Sequence, residues 1–499
     1  MSEERSIDRR VSLPDVFPQP QEPEHRPLAE NAVGVIDGIV LGIASSAVGA
    51  SLGGVLAPIA AASGYGAVLA LLVGFIPLLG IGVGFYYLNR WRPDVGISYA
   101  WVGRLVNPYL GAFIGYLIIA AFVVSNAFAI IPAATTLLTI VKPSLVSNNW
   151  AITIVGTLIL IIISLIVILG IRIAARFQWI LLGFELVVLF VFGTWSLVKA
   201  LTSPHLHGVA TPSLSWFSLS GAGGTSGLVA GLLISMFWYS GWETSVVINE
   251  ETKRRFSNPG AAGIWALVVI VVLSMYFAIC FLSLVPPKAM NANASNWLPL
   301  LGDRLAGRPW GNLVALALMS SFIGGIETTI ITYGRVSFSM GRDRVFPPAF
   351  AGVNPQTRTP VWSMVIWTIP SFIIFILNLW SGAMSNVLGN LSSSIGLMFV
   401  FYYAVTGLTA TWLLRRIIFR SVRNFITGLV LPAGGALVIL WVGAKSLLQL
   451  SPATVITAVI VAVVGIVIVL LSRYAGQSPF FTHPESIQTE MANPETSAP

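Results

Sequence analysis

No Asp, Glu, Lys or Arg occurs among the 52 residues of 38–89, and none among the 56 residues of 359–414. A bilayer core is ~30 Å thick and a helix needs ~20 apolar residues to cross it. Each run is therefore long enough to cross twice. The whole chain of 499 residues is only 9% charged and 56% hydrophobic, against about 25% charged residues in an ordinary soluble domain. This composition excludes a soluble enzyme, a secreted disulfide scaffold and a disordered chain. One cysteine, Cys280, cannot form an internal disulfide, and its apolar surroundings make it a small core residue. His25, His205, His207 and His483 all fall outside the apolar runs, which argues against a His-held metal or haem within the membrane. The external His205-x-His207 pair is too thin for a metal site.

The hydropathy pattern predicts an all-α integral membrane protein with twelve transmembrane helices, at about 33–62, 66–89, 108–141, 149–171, 176–200, 226–250, 260–285, 310–340, 360–380, 386–414, 425–447 and 453–472. Residues 1–30 and 475–499, rich in polar residues and Pro, are expected to be disordered tails. No cleavable signal is visible at the start. With both tails in the cytoplasm, 21 of the 27 Lys and Arg fall on the inner side. Positive charge is favoured there, so the net charge of +8 reads as topology and not as a nucleic-acid surface.

An intact helix satisfies its own backbone in lipid, so a break in mid-membrane must face protein or a wet cavity. Span 1 carries Ser45-Ser46-Ala47-Val48-Gly49-Ala50-Ser51-Leu52-Gly53-Gly54, a poor helix prescription. The alternative is close helix packing through small residues. Span 6 carries Phe237-Trp238-Tyr239-Ser240-Gly241-Trp242-Glu243, with a glycine near its middle and a carboxylate two residues on. Spans 1 and 6 each open a half of five spans, and matching interrupted helices mark the solute site of many transporters. The expected layout is a 5+5 inverted repeat, 31–205 and 206–415, with two extra C-terminal helices in 416–474.

Three acids lie well within apolar spans: Glu185, Glu243 and Glu327. A carboxylate in mid-membrane costs at least ~2.5 kcal/mol, so it tends to be functional. The bland reading of each is a neutral, hydrogen-bonded carboxyl that joins helices. Glu243 can serve as counter-charge for an amine or take up a proton. Glu250 and Glu251, beside Lys253-Arg254-Arg255, read as a salt-bridged helix end, with a gate latch as the alternative.

These segments resemble the amino acid–polyamine–organocation superfamily of secondary transporters over most of 31–420. Four stretches carry the likeness: the break at 45–54; Asn89-Arg90-Trp91-Arg92-Pro93-Asp94-Val95-Gly96-Ile97-Ser98-Tyr99; Gly241-Trp242-Glu243 followed by Asn249-Glu250-Glu251 and Asn258-Pro259; and Arg335 with Met340-Gly341-Arg342-Asp343, then Pro347. Ile97 and Arg344 stand where the family usually has glycine, and Glu185 where many members have a lysine that replaces a sodium ion. Gly325-Ile326-Glu327-Thr328 and Trp242-Glu243 look like segments of polyamine-type members.

The resemblance implies secondary active transport of an amino acid or polyamine across the plasma membrane by alternating access, and no enzymatic activity. The expected solute contacts are Ser46, Ala47, Val48, Gly49, Ala50 and Ser51, whose backbone would hold a carboxylate. With them stand Phe237, Trp238, Ser240, Gly241, Trp242 and Glu243, which would face an amine. Glu185, Glu243 and Glu327 are the candidate proton-coupling groups. Partners are the small solute, H+ as coupling ion and lipid; no metal, cofactor or nucleic acid is expected. The alternatives are a non-transporting receptor or partner subunit of the same fold, or an organic-amine exchanger.

Overall fold

The computed structural model describes residues 28–205, 208–293, 297–307, 310–476 and 478–482. Within them the regular structure is helical, apart from an isolated parallel bridge between Val33 and Thr252. Lipid offers no partner to a peptide group, and a helix leaves few unpaired. In chain order the helices are α1 (Val35–Ser45), α2 (Val48–Ser63), α3 (Ala67–Trp91), α4 (Ser98–Leu105), α5 (Pro108–Val141), α6 (Asn149–Ile168), α7 (Ile171–Thr202), α8 (Gly224–Trp238), α9 (Thr244–Val247) and α10 (Asn258–Leu284). There follow α11 (Pro287–Ala292), α12 (Trp297–Ala306), α13 (Gly311–Arg342), α14 (Val361–Trp380), α15 (Gly382–Leu414), α16 (Leu431–Leu447), α17 (Pro452–Gly476) and α18 (Pro479–Thr482). Local sequence sets many boundaries. Asn107 caps α5, its Oδ1 accepting from the amides of Tyr109 at 2.9 Å and Leu110 at 3.1 Å, and Pro108 fills the first helical position.

Ten stretches among the described residues are long and apolar enough to cross a membrane. Twelve were expected. The difference lies in Val35–Trp91, a 57-residue stretch that holds α1, α2 and α3, and in Gly224–Met236, which is apolar but shorter. The bundle is built around α13, in which every residue from Gly324 to Gly341 is buried. It packs against α1, α2, α5, α7 and α14. Peripheral α6 and α17 expose runs of Ile, Leu and Val, the face a bilayer would cover.

Residues 1–27 and 483–499 of the two expected tails, with His25 and His483, lie outside the described residues, as do 206–207. The C-terminal tail begins otherwise than expected. The short helix α18 is held against α4, with Phe480 stacked on Tyr99 at 4.9 Å, under the Arg104 guanidinium at 5.5 Å, and Phe481 against Tyr109 at 5.0 Å. Two adjacent aromatic rings in a polar tail bury too much apolar surface to stay in water.

Candidate functional site

The two expected breaks are present, and they touch. Between α1 and α2 the regular helix stops at Ser46 and Ala47, and Ala47 is left-handed at φ 46°. Between α8 and α9 it unwinds over 239–243, with Gly241 at φ 97°. A Cβ on Gly241 would lie 2.7 Å from the Ser45 carbonyl oxygen, so only glycine lets the second break close on the first. Thr244 Oγ1 donates to Ser45 Oγ at 2.9 Å and shares a 2.9 Å hydrogen bond with Thr332 of α13.

Each break carries one buried acid. Glu185 of α7 accepts from the Gly49 amide at 2.7 Å, and Ser321 Oγ of α13 accepts from the Ala50 amide at 3.1 Å. Other amides of the segment turn inward: Ser46 to Gly42 O, Ala47 to Ala44 O and Ser51 to Ala47 O. Glu243 accepts from the Gly241 amide at 3.1 Å, from the Tyr403 hydroxyl at 2.5 Å and from the Tyr402 hydroxyl. The carboxylate expected to face an amine is thus ringed by donors of the chain itself. Tyr402 and Tyr403 were missed in the sequence. Their signal was there: two adjacent phenols in an apolar span must find a partner when buried.

The remaining candidates separate. Trp242 is buried between helices, edge-on to Phe85 at 5.0 Å and stacked on Tyr403 at 6.2 Å. Trp238 is buried with its indole nitrogen unpaired among the described residues. Ser240 is half-buried, and the Phe237 side chain lies outside the described residues. Glu327 is fully buried, and neither oxygen has a partner among the described residues. A Cβ on Gly325 would stand 3.9 Å from that of Ala47. At 100° per residue, Glu327 points roughly 200° away from that face. It belongs to another side of α13 from the breaks.

A cavity of about 670 Å³ opens on one side of the breaks, lined by Ala50 and Gly54 of α2, Pro132 and Thr136 of α5, Asp303 of α12 and Phe322 of α13. Towards the far end of α13, where Arg335 stands 13 residues beyond Phe322 and so ~20 Å along the helix, the chain is latched by ion pairs. Arg335 and Glu251, both fully buried, meet at 2.5 and 3.1 Å. Arg342 grips Glu250 at 2.9 and 3.0 Å and Asp94 at 3.1 Å. Arg104 holds Asp343 at 2.9 Å. The partners of Glu250 and Glu251 therefore come from α13, and the local helix end with Lys253-Arg254-Arg255 gives way to a long-range latch. Burial alone would raise the Asp94 carboxyl. The guanidiniums of Arg342, Arg104 and Arg92, with the Ser339 hydroxyl, outweigh it and hold Asp94 well below the usual carboxylate range.

A sequence profile described as "Amino acid permease" matches residues 38–481. The chain belongs to the amino acid permease family. This permease is a multi-pass membrane transporter and not an enzyme. It is 22% identical to the serine/threonine exchanger SteT of Bacillus subtilis over 360 residues, 70% of this chain and 75% of the exchanger. It is 23% identical to the branched-chain amino acid permease BcaP of Lactococcus lactis over 319 residues, 60% of this chain and 65% of that one. It is 28% identical to the vacuolar cationic amino acid transporter 4 of Arabidopsis thaliana over 151 residues, 28% of this chain and 23% of that one. The four motifs that carried the resemblance supply both breaks and both sides of the latch.

Proposed function

We propose that this permease moves a neutral amino acid across the plasma membrane by alternating access, with the solute held where the two helix breaks meet. The observation that carries the reading is the contact of Gly241 with the Ser45 carbonyl, with a 670 Å³ cavity starting at Ala50 in the turn of α2 that follows the first break. Breaks of this kind leave backbone dipoles able to hold both charges of a zwitterion. A neutral amino acid is favoured over a polyamine because Glu243, the acid nearest the site, is already engaged by Gly241, Tyr402 and Tyr403. The relatives named for serine/threonine exchange and branched-chain transport lean the same way.

The rest of the proposal follows from this. The chain crosses twelve times as a 5+5 inverted repeat (31–205 and 206–415) plus two helices in 416–474, with Val35–Trp91 counted as two crossings and α8 with α9 as one. Both termini are cytoplasmic, as the distribution of 21 of 27 basic residues supports. The latched end is then cytoplasmic and the cavity faces outward. A proton, carried by Glu185 or by another of the buried acids, is the coupling ion. The test is a panel of amino acids, diamines and polyamines, scored first by thermal stabilisation of purified protein and then by uptake into proteoliposomes. A ligand that binds only the folded state raises apparent stability by mass action. Stabilisation and uptake by neutral amino acids are expected. Stabilisation without flux would make the chain a receptor, and a response confined to diamines and polyamines would make it an amine exchanger.

A further inference from the structure

We infer that the loop between α15 and α16 is a binding site for an anionic phospholipid, whose phosphate meets two arginines and whose chains cover two phenylalanines. The inference goes beyond the proposed function; only its assignment to the inner leaflet rests on the proposed topology. α15 ends at Leu414, and Arg415, Arg416, Arg420 and Arg423 follow before α16 begins at Leu431. Arg420 and Arg423 are exposed. Apolar side chains stand out beside them. Phe419 is 82% and Val422 76% exposed, and Phe425 and Ile426 are exposed as well. A bare apolar patch of this kind marks a contact with a membrane or a partner. The rings of Phe419 and Phe425 meet at 6.1 Å. That contact closes residues 420–424 into a tight loop, with both arginines on it.

The loop is built by specific contacts. Ser421 Oγ accepts from the Asn424 amide at 3.1 Å, and Asn424 Nδ2 donates to the Ile417 carbonyl at 3.1 Å. Thr427 shares a 2.9 Å hydrogen bond with Tyr87 of α3. Arg415 lies 4.1 Å over the exposed ring of Trp412, a residue type that settles at the membrane interface. The charge has no acid near it in the fold. No Asp or Glu occurs between Asp343 and Glu485 in the sequence, and α3, α15 and α16, which pack against the loop, carry none. Asp94, Glu250, Glu251 and Asp343 are held by the latch arginines. Arginine presents a fork that matches phosphate, and basic segments just inside a span attract anionic lipids. A soluble anion would use the arginines and leave the phenyl pair in water. A lipid without net charge would cover the rings and leave the basic loop uncompensated. An anionic phospholipid satisfies both.

The experiment uses the full chain in a neutral detergent. It is titrated with phosphatidylglycerol, with phosphatidylcholine of the same chain length and with inorganic phosphate. Bound lipid is counted by native mass spectrometry, and apparent affinity is read from thermal stabilisation. Wild type should prefer phosphatidylglycerol about 25-fold, about fivefold per arginine, and inorganic phosphate should give no shift. Arg420→Gln with Arg423→Gln should remove that preference. Phe419→Ser with Phe425→Ser should weaken binding of both lipids, which a purely electrostatic contact would not show. Arg344→Gln with Arg358→Gln, exposed between α13 and α14, removes the same charge elsewhere and should bind like wild type. Equal affinity for the two lipids, stabilisation by inorganic phosphate, an unchanged preference without Arg420 and Arg423, or an equal loss in the Arg344 and Arg358 control overturns the inference. Each of these leaves amino acid transport standing. A chain that selects phosphatidylglycerol but moves no amino acid overturns the proposed function alone. The wild-type comparison of the two lipids decides the matter even if a variant does not fold.

Discussion

Arg344 and Ile97 are left-handed, at φ 58° and φ 42°, in the two loop positions where the family usually has glycine. The strain at such a residue is of order 1–3 kcal/mol. Arg344 is exposed, so Arg344→Gly should raise the melting temperature in a thermal-shift assay. Ile97 is fully buried, and emptying a buried aliphatic site costs ~2–5 kcal/mol. Ile97→Gly should therefore lower stability. The Arg335–Glu251 pair has no access to solvent. Removing one partner strands a buried charge, at about 3–5 kcal/mol. Arg335→Gln should be severely destabilised, and adding Glu251→Gln should recover much of the loss in the same assay. Asp94 supplies a pH prediction. Its folded value is depressed, so its stabilisation is fully present above the unfolded value of ~3.9 and is lost only as pH falls through the lower folded value. The stability gap between wild type and Asp94→Asn should be constant from about pH 6 to pH 8 and close only in strong acid.

At the scale of elements, the breaks were legible because small residues and a mid-span glycine are poor helix formers. Their placement was less so. Gly49, Gly53 and Gly54 all lie inside α2, and the left-handed residue is Ala47. What decides this is Gly241 closing on Ser45 across the bundle, a contact between residues almost two hundred positions apart. The latch was half legible for the same reason. Each charged motif was visible, but the pairing of Glu250 with Arg342 depends on how α13 docks. The capture of Glu243 by Tyr402 and Tyr403 likewise needed α15 in place. Gly241→Ala should cut uptake by more than about tenfold with the protein still expressed, because a Cβ there meets both backbone and an unfavourable φ. Gly183→Ala, on α7 with open space around it, is the control that should transport normally.

At the scale of the whole molecule, one end is latched and the other holds the cavity. α18 adds to the latched end: Ser478 Oγ donates to the Asp343 carbonyl at 2.6 Å while Phe480 covers Tyr99 and Arg104. Replacing both Phe480 and Phe481 by alanine should lower the melting temperature, since burying each ring is worth ~1.5–3 kcal/mol. The twelve-span reading with cytoplasmic termini came from hydropathy and basic residues, neither of which reports how α1 and α8 break or that a tail folds back. The claim at the centre is that an amino acid sits between the two breaks. A cryo-EM map of the full chain with its most stabilising amino acid tests it most directly. The account predicts ligand density within hydrogen-bond distance of the backbone at 46–50 and 240–243. Density confined to another cavity, with the Gly241–Ser45 junction closed and empty, would contradict it.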